Sequence, residues 1–371
     1  MTERRTPSEG PGIPHDDPVT GDQSRSTKPD RSQSAADRPT DLPRASWVKV
    51  LRRAVGQIKQ DELTDRAAAL TYYGVQAIFP GLLVLVSILD LFGHSTTKTL
   101  IDNLGKIAPG SANSFIQTVI TNAQSQKAPA GIAGILGLVL ALWSASGYVS
   151  GFMRSANVIY RIGEGRPIWK TAPVRLAITL FFVVGLVAGL VIVVVTGPVA
   201  KQIGSVVGLG STAVTVWDIA KWPALLSIFV VLLAVLYQGG PNVRLGGIRW
   251  VSPGAALAVA IWLIASGLFA FYVANFGSYN KTYGALAGVI VFLVWLWISN
   301  LAILLGAEFD AELEHERAIG EGVSPDTDLF VVAKDTQKLD DDDKLQAERT
   351  AEVRERSREA QDSTSAPPCS S

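Results

Sequence analysis

FFVVGLVAGLVIVVV, residues 181–195, decides the fold class of this chain. The stretch has no charge, no proline and no alternation of apolar with polar positions. A strand of a membrane barrel alternates polarity over about 10 residues. A helix crossing a ~30 Å hydrocarbon core needs about 20 apolar residues in a row. The stretch is the middle of such a segment, 176–197, and five more apolar segments lie at 67–92, 131–153, 221–238, 251–275 and 284–307. The fourth in chain order opens at Lys221-Trp222-Pro223, where proline suits the first turn of a helix. The pattern predicts an all-α integral membrane protein, a bundle of six transmembrane helices.

Charge divides the chain into three. The whole has 33 basic and 33 acidic residues and a formal net charge of zero. Residues 1–44 sum to −1, residues 45–307 to +11 and residues 308–371 to −10. The middle 263 residues hold 25 charges, against about a quarter of all residues in a soluble domain. Residues 1–44 are polar and rich in Pro, Ser and Asp, which predicts a disordered tail. The membrane domain is placed at 45–317, and 318–371 is read as an acidic, mostly disordered tail. Within it LDDDDK (339–344) reads as a chance acidic run, and 344–361 as a charged helical pattern without an apolar stripe.

Before the first apolar segment, SWVKVLRRAVGQIKQDEL (46–63) has Trp47, Val50, Leu51, Ala54 and Ile58 at helical spacing among basic residues. This juxtamembrane amphipathic helix either lies on an anionic leaflet or packs on the domain. An even number of spans puts both termini on one side. Thirteen Lys and Arg flank the spans on the side of residue 44, against six on the other, so both termini are expected in the cytoplasm. In the first outer loop, 93–130, residues 100–107 and 111–124 show short amphipathic patterns.

The only cysteine is Cys369, and His15, His94 and His315 are far apart in sequence. This rules out an intrachain disulfide and a Cys-based zinc or iron–sulfur site.

Four long motifs resemble the YihY / virulence factor BrkB family of bacterial inner-membrane proteins. They are DRAAALTYYGVQAIFPGLLVLVSILD (65–90), ALWSASGYVSGFMRSANVIYRIGEGRPIW (141–169), the SPGAALAVAIWLIASGLFAFYVANFGSYNKTYGALAG block (252–288) and WLWISNLAILLGAEFDAEL (295–313). The resemblance covers about 45–315, and the loop YQGGPNV (237–243) departs from the family in its Gly-Gly. It implies a six-span inner-membrane protein without an agreed activity. Some members have carried the label ribonuclease BN, and others are linked to serum resistance or to envelope phenotypes.

That label is weighed against the residues. Nuclease metal pairs need clustered carboxylates or histidines. Residues 45–307 offer seven acidic residues, Asp61, Glu62, Asp65, Asp90, Asp102, Glu164 and Asp218, which the topology splits between two sides. An intrinsic nuclease, a metal, a cofactor and a nucleic-acid partner are therefore not expected.

Polar residues inside spans are better pointers, because lipid makes them costly. Asp65, Tyr72 and Gln76 share one face of the first span, which Pro80 is expected to interrupt. Trp143, Gly147, Ser150, Arg154, Asn157 and Arg161 form a stripe on the second span, and Asn300 and Glu308 share a face of the last. Tyr272, Asn275 and Tyr279 close the fifth span at the outer interface. Each has a structural alternative: helix-to-helix hydrogen bonds, interfacial anchoring, or pairing of Arg66 or Arg154 with Glu308 or Asp310. Gly147/Gly151, Gly185/Gly189 and Gly284/Gly288 are GxxxG pairs that predict tight helix contacts, within the chain or in a homo-oligomer.

The expectation is a non-enzymatic transporter or translocator of a lipid-like or amphipathic envelope component, in contact with membrane lipids. The alternative is a scaffold for envelope machinery whose tails bind a cytoplasmic partner. An enzyme acting on membrane lipid ranks third, since no nucleophile–base pair is visible.

Overall fold

The computed structural model describes residues 44–91, 132–194, 211–245, 253–275, 285–324 and 329–365. The expectations for residues 1–43, for the 93–130 loop and for Tyr279, Gly284 and Cys369 lie outside them. The described residues are helical: α1 (Arg44–Gln60), α2 (Leu63–Leu91), α3 (Ile132–Ile159), α4 (Ile168–Val194), α5 (Ser211–Gly239), α6 (Pro253–Asn275), α7 (Ala285–Gly320) and α8 (Asp341–Ser365). Four of them, α4 to α7, are long and apolar enough to cross a membrane.

The helices from α2 to α7 pack in chain order, and α7 returns to α2 and α3, which closes a ring. Side chains such as Leu186, Val191, Ile264, Leu268 and Phe271 are exposed on the outside of this ring, as lipid contact requires. Its interior is lined by Leu70, Phe152, Leu233, Leu236, Ala258 and Leu304.

Close backbone approach sets several crossings. A Cβ on Gly151 would lie 2.8 Å from the Tyr73 ring, and one on Gly185 2.7 Å from Leu232. Two of the GxxxG pairs thus serve contacts within the chain, α3 on α2 and α4 on α5. In each pair one glycine makes the close approach: Gly147 and Gly189 meet their neighbours only at 3.9 and 3.6 Å. The third pair differs. Gly288 stands half-buried in the first turn of α7, beside the exposed Val289 and Ile290, and its partner Gly284 lies outside the described residues. The contact expected of the Gly284/Gly288 pair therefore lies outside the described residues. α7 makes its close approach farther along, at Gly306, which belongs to no such motif. A Cβ on Gly254 of α6 would lie 2.2 Å from the Gly306 carbonyl oxygen of α7.

Helix α2 continues through Pro80, so the expected interruption there is corrected. Proline removes one N–H donor, and the ladder on both sides holds the helix together. Helix α1 ends at Gln60, before the expected boundary, because Glu62 takes a left-handed conformation (φ 49°) and turns the chain into α2. The Val50 side of α1 packs on Phe309 and Leu313 of α7, and Trp47 lies 5.8 Å from the Phe309 ring.

Helix α7 has 36 residues and is about 54 Å long at 1.5 Å per residue. It outruns a hydrocarbon core of about 30 Å, and its last turns form a stalk that receives α1 and the C-terminal segment. The expectation of a mostly disordered tail is corrected here for 329–365. Phe330 and Val331 are buried, Ala333 bridges to Val243, and the Asp340 carboxylate caps α8 through the Asp343 N–H at 2.9 Å. The acidic run 339–344 is therefore a helix start, with Asp341, Asp342 and Asp343 in the first turn, where the helix dipole favours negative charge.

Candidate functional site

The polar residues singled out in sequence fall into four groups, not one. The first is a buried bridge between α2, α3 and α7. The Tyr148 hydroxyl donates to Asn300 Oδ1 at 2.7 Å, and Asn300 Nδ2 donates to Thr71 Oγ1 at 3.1 Å. Thr71 in turn donates to the Ala67 carbonyl at 2.8 Å. Every member is satisfied, which suits a packing role in a dry interior.

The second group lies on the outside of the α2–α3 pair. Arg154 donates to Ser150 Oγ and to the Tyr73 hydroxyl, both at 3.0 Å, and its guanidinium carbon lies 5.4 Å from the Tyr73 ring centre. Arg154 is exposed, and among the described residues no carboxylate pairs with it. The pairing of Arg154 with Glu308 or Asp310 is thereby corrected: Ser150 and Tyr73, one turn away and on the facing helix, are nearer. Asp65, Tyr72 and Gln76 are also exposed, on the outer face of α2, and Gln76 donates to the Tyr72 hydroxyl at 2.7 Å. Farther along α3, Arg175 of α4 stacks at 4.9 Å over the exposed Trp143.

The third group is a clasp between loops. Asn157, at the end of α3, accepts from the Asn242 N–H at 2.8 Å and donates to Glu164 at 2.9 Å. Arg166 forks onto both Glu164 oxygens at 2.7 Å and reaches the Gly240 carbonyl. Burial opposes ionisation of Glu164, yet hydrogen bonds from Arg166 and Asn157 hold its carboxyl below the usual range. The fully buried Asn242 donates to the Gly163 and Asp335 carbonyls and accepts from the Asp335 N–H. Lys170 pairs with the Asp335 carboxylate, which this contact keeps below the usual range. Lys334 donates to the carbonyls of Gln238 and Pro241. Burial and the nearby Arg166 push its amine down to about 8. The loop with the Gly-Gly thus has a fixed shape, imposed by residues some 93 positions later.

The fourth group is ionic and surrounds the stalk of α7. Asp310 accepts from the Gly254 N–H at 2.7 Å and so caps α6 from a neighbouring helix. Arg53 of α1 reaches Glu316 at 2.9 Å. Arg354 of α8, 1% exposed, pairs with Glu314 at 2.7 Å and with Glu321. Burial works against its charge, and the two carboxylates more than restore it. His315 stacks on Phe330 with centroids 4.5 Å apart. Glu308, 1% exposed, meets Asp61 of the α1–α2 turn, each carboxyl within hydrogen-bonding reach of the other. Burial raises the Asp61 carboxyl above its ordinary range, against the lowering influence of Glu308, Arg161 and Arg66. Arg66 itself donates to the Asp61 carbonyl at 2.8 Å.

A cavity of about 10 Å³ lies between Tyr160, Tyr237, Asp310 and Glu314, space for a single water. Among the described residues no group of three or more His, Cys, Asp or Glu is placed to hold a metal. Sequence reading missed the roles of Asn242, Arg166, Glu314 and Arg354, and it gave Asp310 an arginine partner where the structure gives it the Gly254 N–H.

A ring of apolar helices with exposed aliphatic side chains and a polar stalk defines a multi-pass membrane protein. Residues 54–328 match the model of the family described as virulence factor BrkB, and the chain belongs to that family. It is 30% identical over 270 residues to the putative ribonuclease-like protein YfkH of Bacillus subtilis strain 168, covering 73% of this chain and 96% of that protein. It is 27% identical over 286 residues to a UPF0761 membrane protein of Alkalilimnicola ehrlichii, covering 72% of this chain and 59% of that protein. A UPF0761 membrane protein of Vibrio campbellii is 27% identical over 267 residues, covering 69% of this chain and 79% of that protein. No solved structure matches the chain.

Proposed function

We propose that the chain is a six-span protein of the bacterial inner membrane, with α2 to α7 as spans and both termini in the cytoplasm. On this reading it moves a lipid-like or amphipathic envelope component and catalyses no covalent chemistry. The observation that carries the reading is Arg154. It is a cation on the outside of two apolar helices, held only by a hydroxyl pair and a ring. Charged side chains at membrane depth are costly and are kept for pathways and ligands. Arg154 lies about one to two turns from the end of α3, at the depth of inner-leaflet headgroups. Its remaining N–H donors suit a phospholipid phosphate.

The test uses the full-length protein in vesicles of phosphatidylethanolamine and phosphatidylglycerol with fluorescent phosphatidylglycerol as probe. Wild type is expected to speed movement between leaflets, and Arg154→Ala to slow it about tenfold, the equivalent of ~1.4 kcal/mol in barrier height. Absence of movement with wild type across a broad lipid panel would sink the reading.

The exposed charged face of α8 favours a second reading, a scaffold that binds a cytoplasmic protein. Deleting the tail does not separate the two, because 329–365 hold the loops together. Reversing charges at Arg349, Glu352 and Arg356, which are exposed, does. A scaffold loses its partner, whereas a transporter keeps its flux.

A further inference from the structure

The α1–α2 turn and the α7 stalk bring two acidic groups into a contact that two carboxylates cannot make. Asp61 Oδ2 and Glu308 Oε2 are buried, and no N–H or hydroxyl among the described residues donates to either. The two carboxyls reach each other. Like charges at hydrogen-bonding distance in a buried site do not both ionise, and one proton shared between them supplies the missing donor. The charges that face the pair come from every side. Arg66 of α2 and Arg161 at the end of α3 attract it, and Glu312 of α7 repels it. Arg53 of α1 is engaged by Glu316 and lies 3.9 Å from Glu312. His315 lies 3.8 Å from Glu312, one turn beyond the pair. None of these gives the two buried oxygens a hydrogen bond.

We propose that Asp61 and Glu308 form a proton-binding site that holds one shared proton, and that this proton couples transport to a pH gradient. Uptake of one proton converts two carboxylates, net −2, into one acid–carboxylate pair, net −1. Release restores two like charges in contact and drives the α1–α2 turn away from α7. The turn is suited to move as a unit, since it is a two-residue joint with Glu62 left-handed between two helices. The coupling half rests on the transporter reading. The proton site does not.

Two measurements on the full-length protein in lipid vesicles separate these halves. The first is infrared difference spectroscopy during a pH titration. Wild type is expected to show one carboxylic-acid C=O band at neutral pH, lost in both Asp61→Asn and Glu308→Gln. A wild-type spectrum without that band, or a band that survives both substitutions, overturns the site. If either variant fails to fold, the wild-type spectrum and the other variant decide.

The second is movement of fluorescent phosphatidylglycerol under an imposed pH gradient. Wild-type flux is expected to respond to the gradient, and Glu308→Gln to lose that response. Wild-type flux indifferent to the gradient overturns coupling and leaves transport standing. A carboxylic-acid band without any lipid movement overturns the transporter reading, and coupling with it, and leaves the proton site standing.

Discussion

Removing the Asn242 carboxamide would strand the Asp335 N–H and two half-buried carbonyls, of Gly163 and Asp335. Buried polar groups left without partners cost about 1–3 kcal/mol each, so Asn242→Ala is expected to lose about 3 kcal/mol. Thermal unfolding in detergent checks this. Lys334 gives a signature in pH. Its folded-state value of about 8 lies below the ordinary lysine value of about 10.4, so the unfolded chain binds more protons between the two. Stability should therefore rise from pH 8 toward pH 10 through this group, and Lys334→Met should remove that rise. Neither residue announces itself in sequence. Asn242 follows a Gly-Gly-Pro turn, and Lys334 ends the short apolar run of residues 329–333. Their partners lie in another loop, so no local period marks them. Arg154 and Asn300 were legible because a polar residue within an apolar run is conspicuous by itself. What each one touches was not.

At the scale of helices, Gly254 and Gly306 make the firmest prediction. Both obstacles to a Gly254 Cβ, the Gly306 carbonyl and the Asp310 carboxylate that caps α6, are held in place. Gly254→Ala is expected to cost about 2–3 kcal/mol through forced separation of α6 and α7. Gly189→Ala should be neutral or stabilising by about 0.5–1 kcal/mol, since its Cβ would meet only Leu225 at an ordinary 3.6 Å. Paired melting curves distinguish them. The GxxxG pattern points to Gly189 and passes over Gly254, because a contact between residues of different helices leaves no i, i+4 pattern. On α7 it likewise passes over Gly306, where the two helices meet. Helix α8 was misjudged for a related reason. Its buried side carries Ala347, Thr350 and Arg354, so its attachment is ionic where an apolar stripe was sought. Arg354→Ala leaves Glu314 and Glu321 buried with Arg317, at 3.6 and 3.1 Å, as their remaining cation among the described residues; breaking a buried pair typically costs about 3–5 kcal/mol, so a loss of about 3 kcal/mol is expected. Faster hydrogen exchange across 341–365, with the ring of α2 to α7 unchanged, is the expected result.

For the molecule as a whole, apolar run length announced helical membrane architecture before any contact was known. Chain order then supplied the ring, because consecutive elements usually lie side by side, even across the connection of about 40 residues between α2 and α3. Orientation is open to a direct check. Replacing the only cysteine, Cys369→Ser, gives a background for single-cysteine probes at Gln60, Ser125 and Leu345. A membrane-impermeant maleimide on intact cells should label Ser125→Cys and spare the other two. The reverse pattern would invert the molecule. The clasp at Asn242 also sets an order of assembly. Its carboxamide waits for Asp335, 93 residues downstream. At about 5–20 residues per second of synthesis, that wait is roughly 5 to 20 seconds. Until then the loops between α3 and α4 and between α5 and α6 lack the Asp335 contacts that tie them together. A chain cut short by a premature stop never closes them. The clasp is thus completed by the 329–365 segment, and deleting that segment is expected to leave Asn242 without its Asp335 partners.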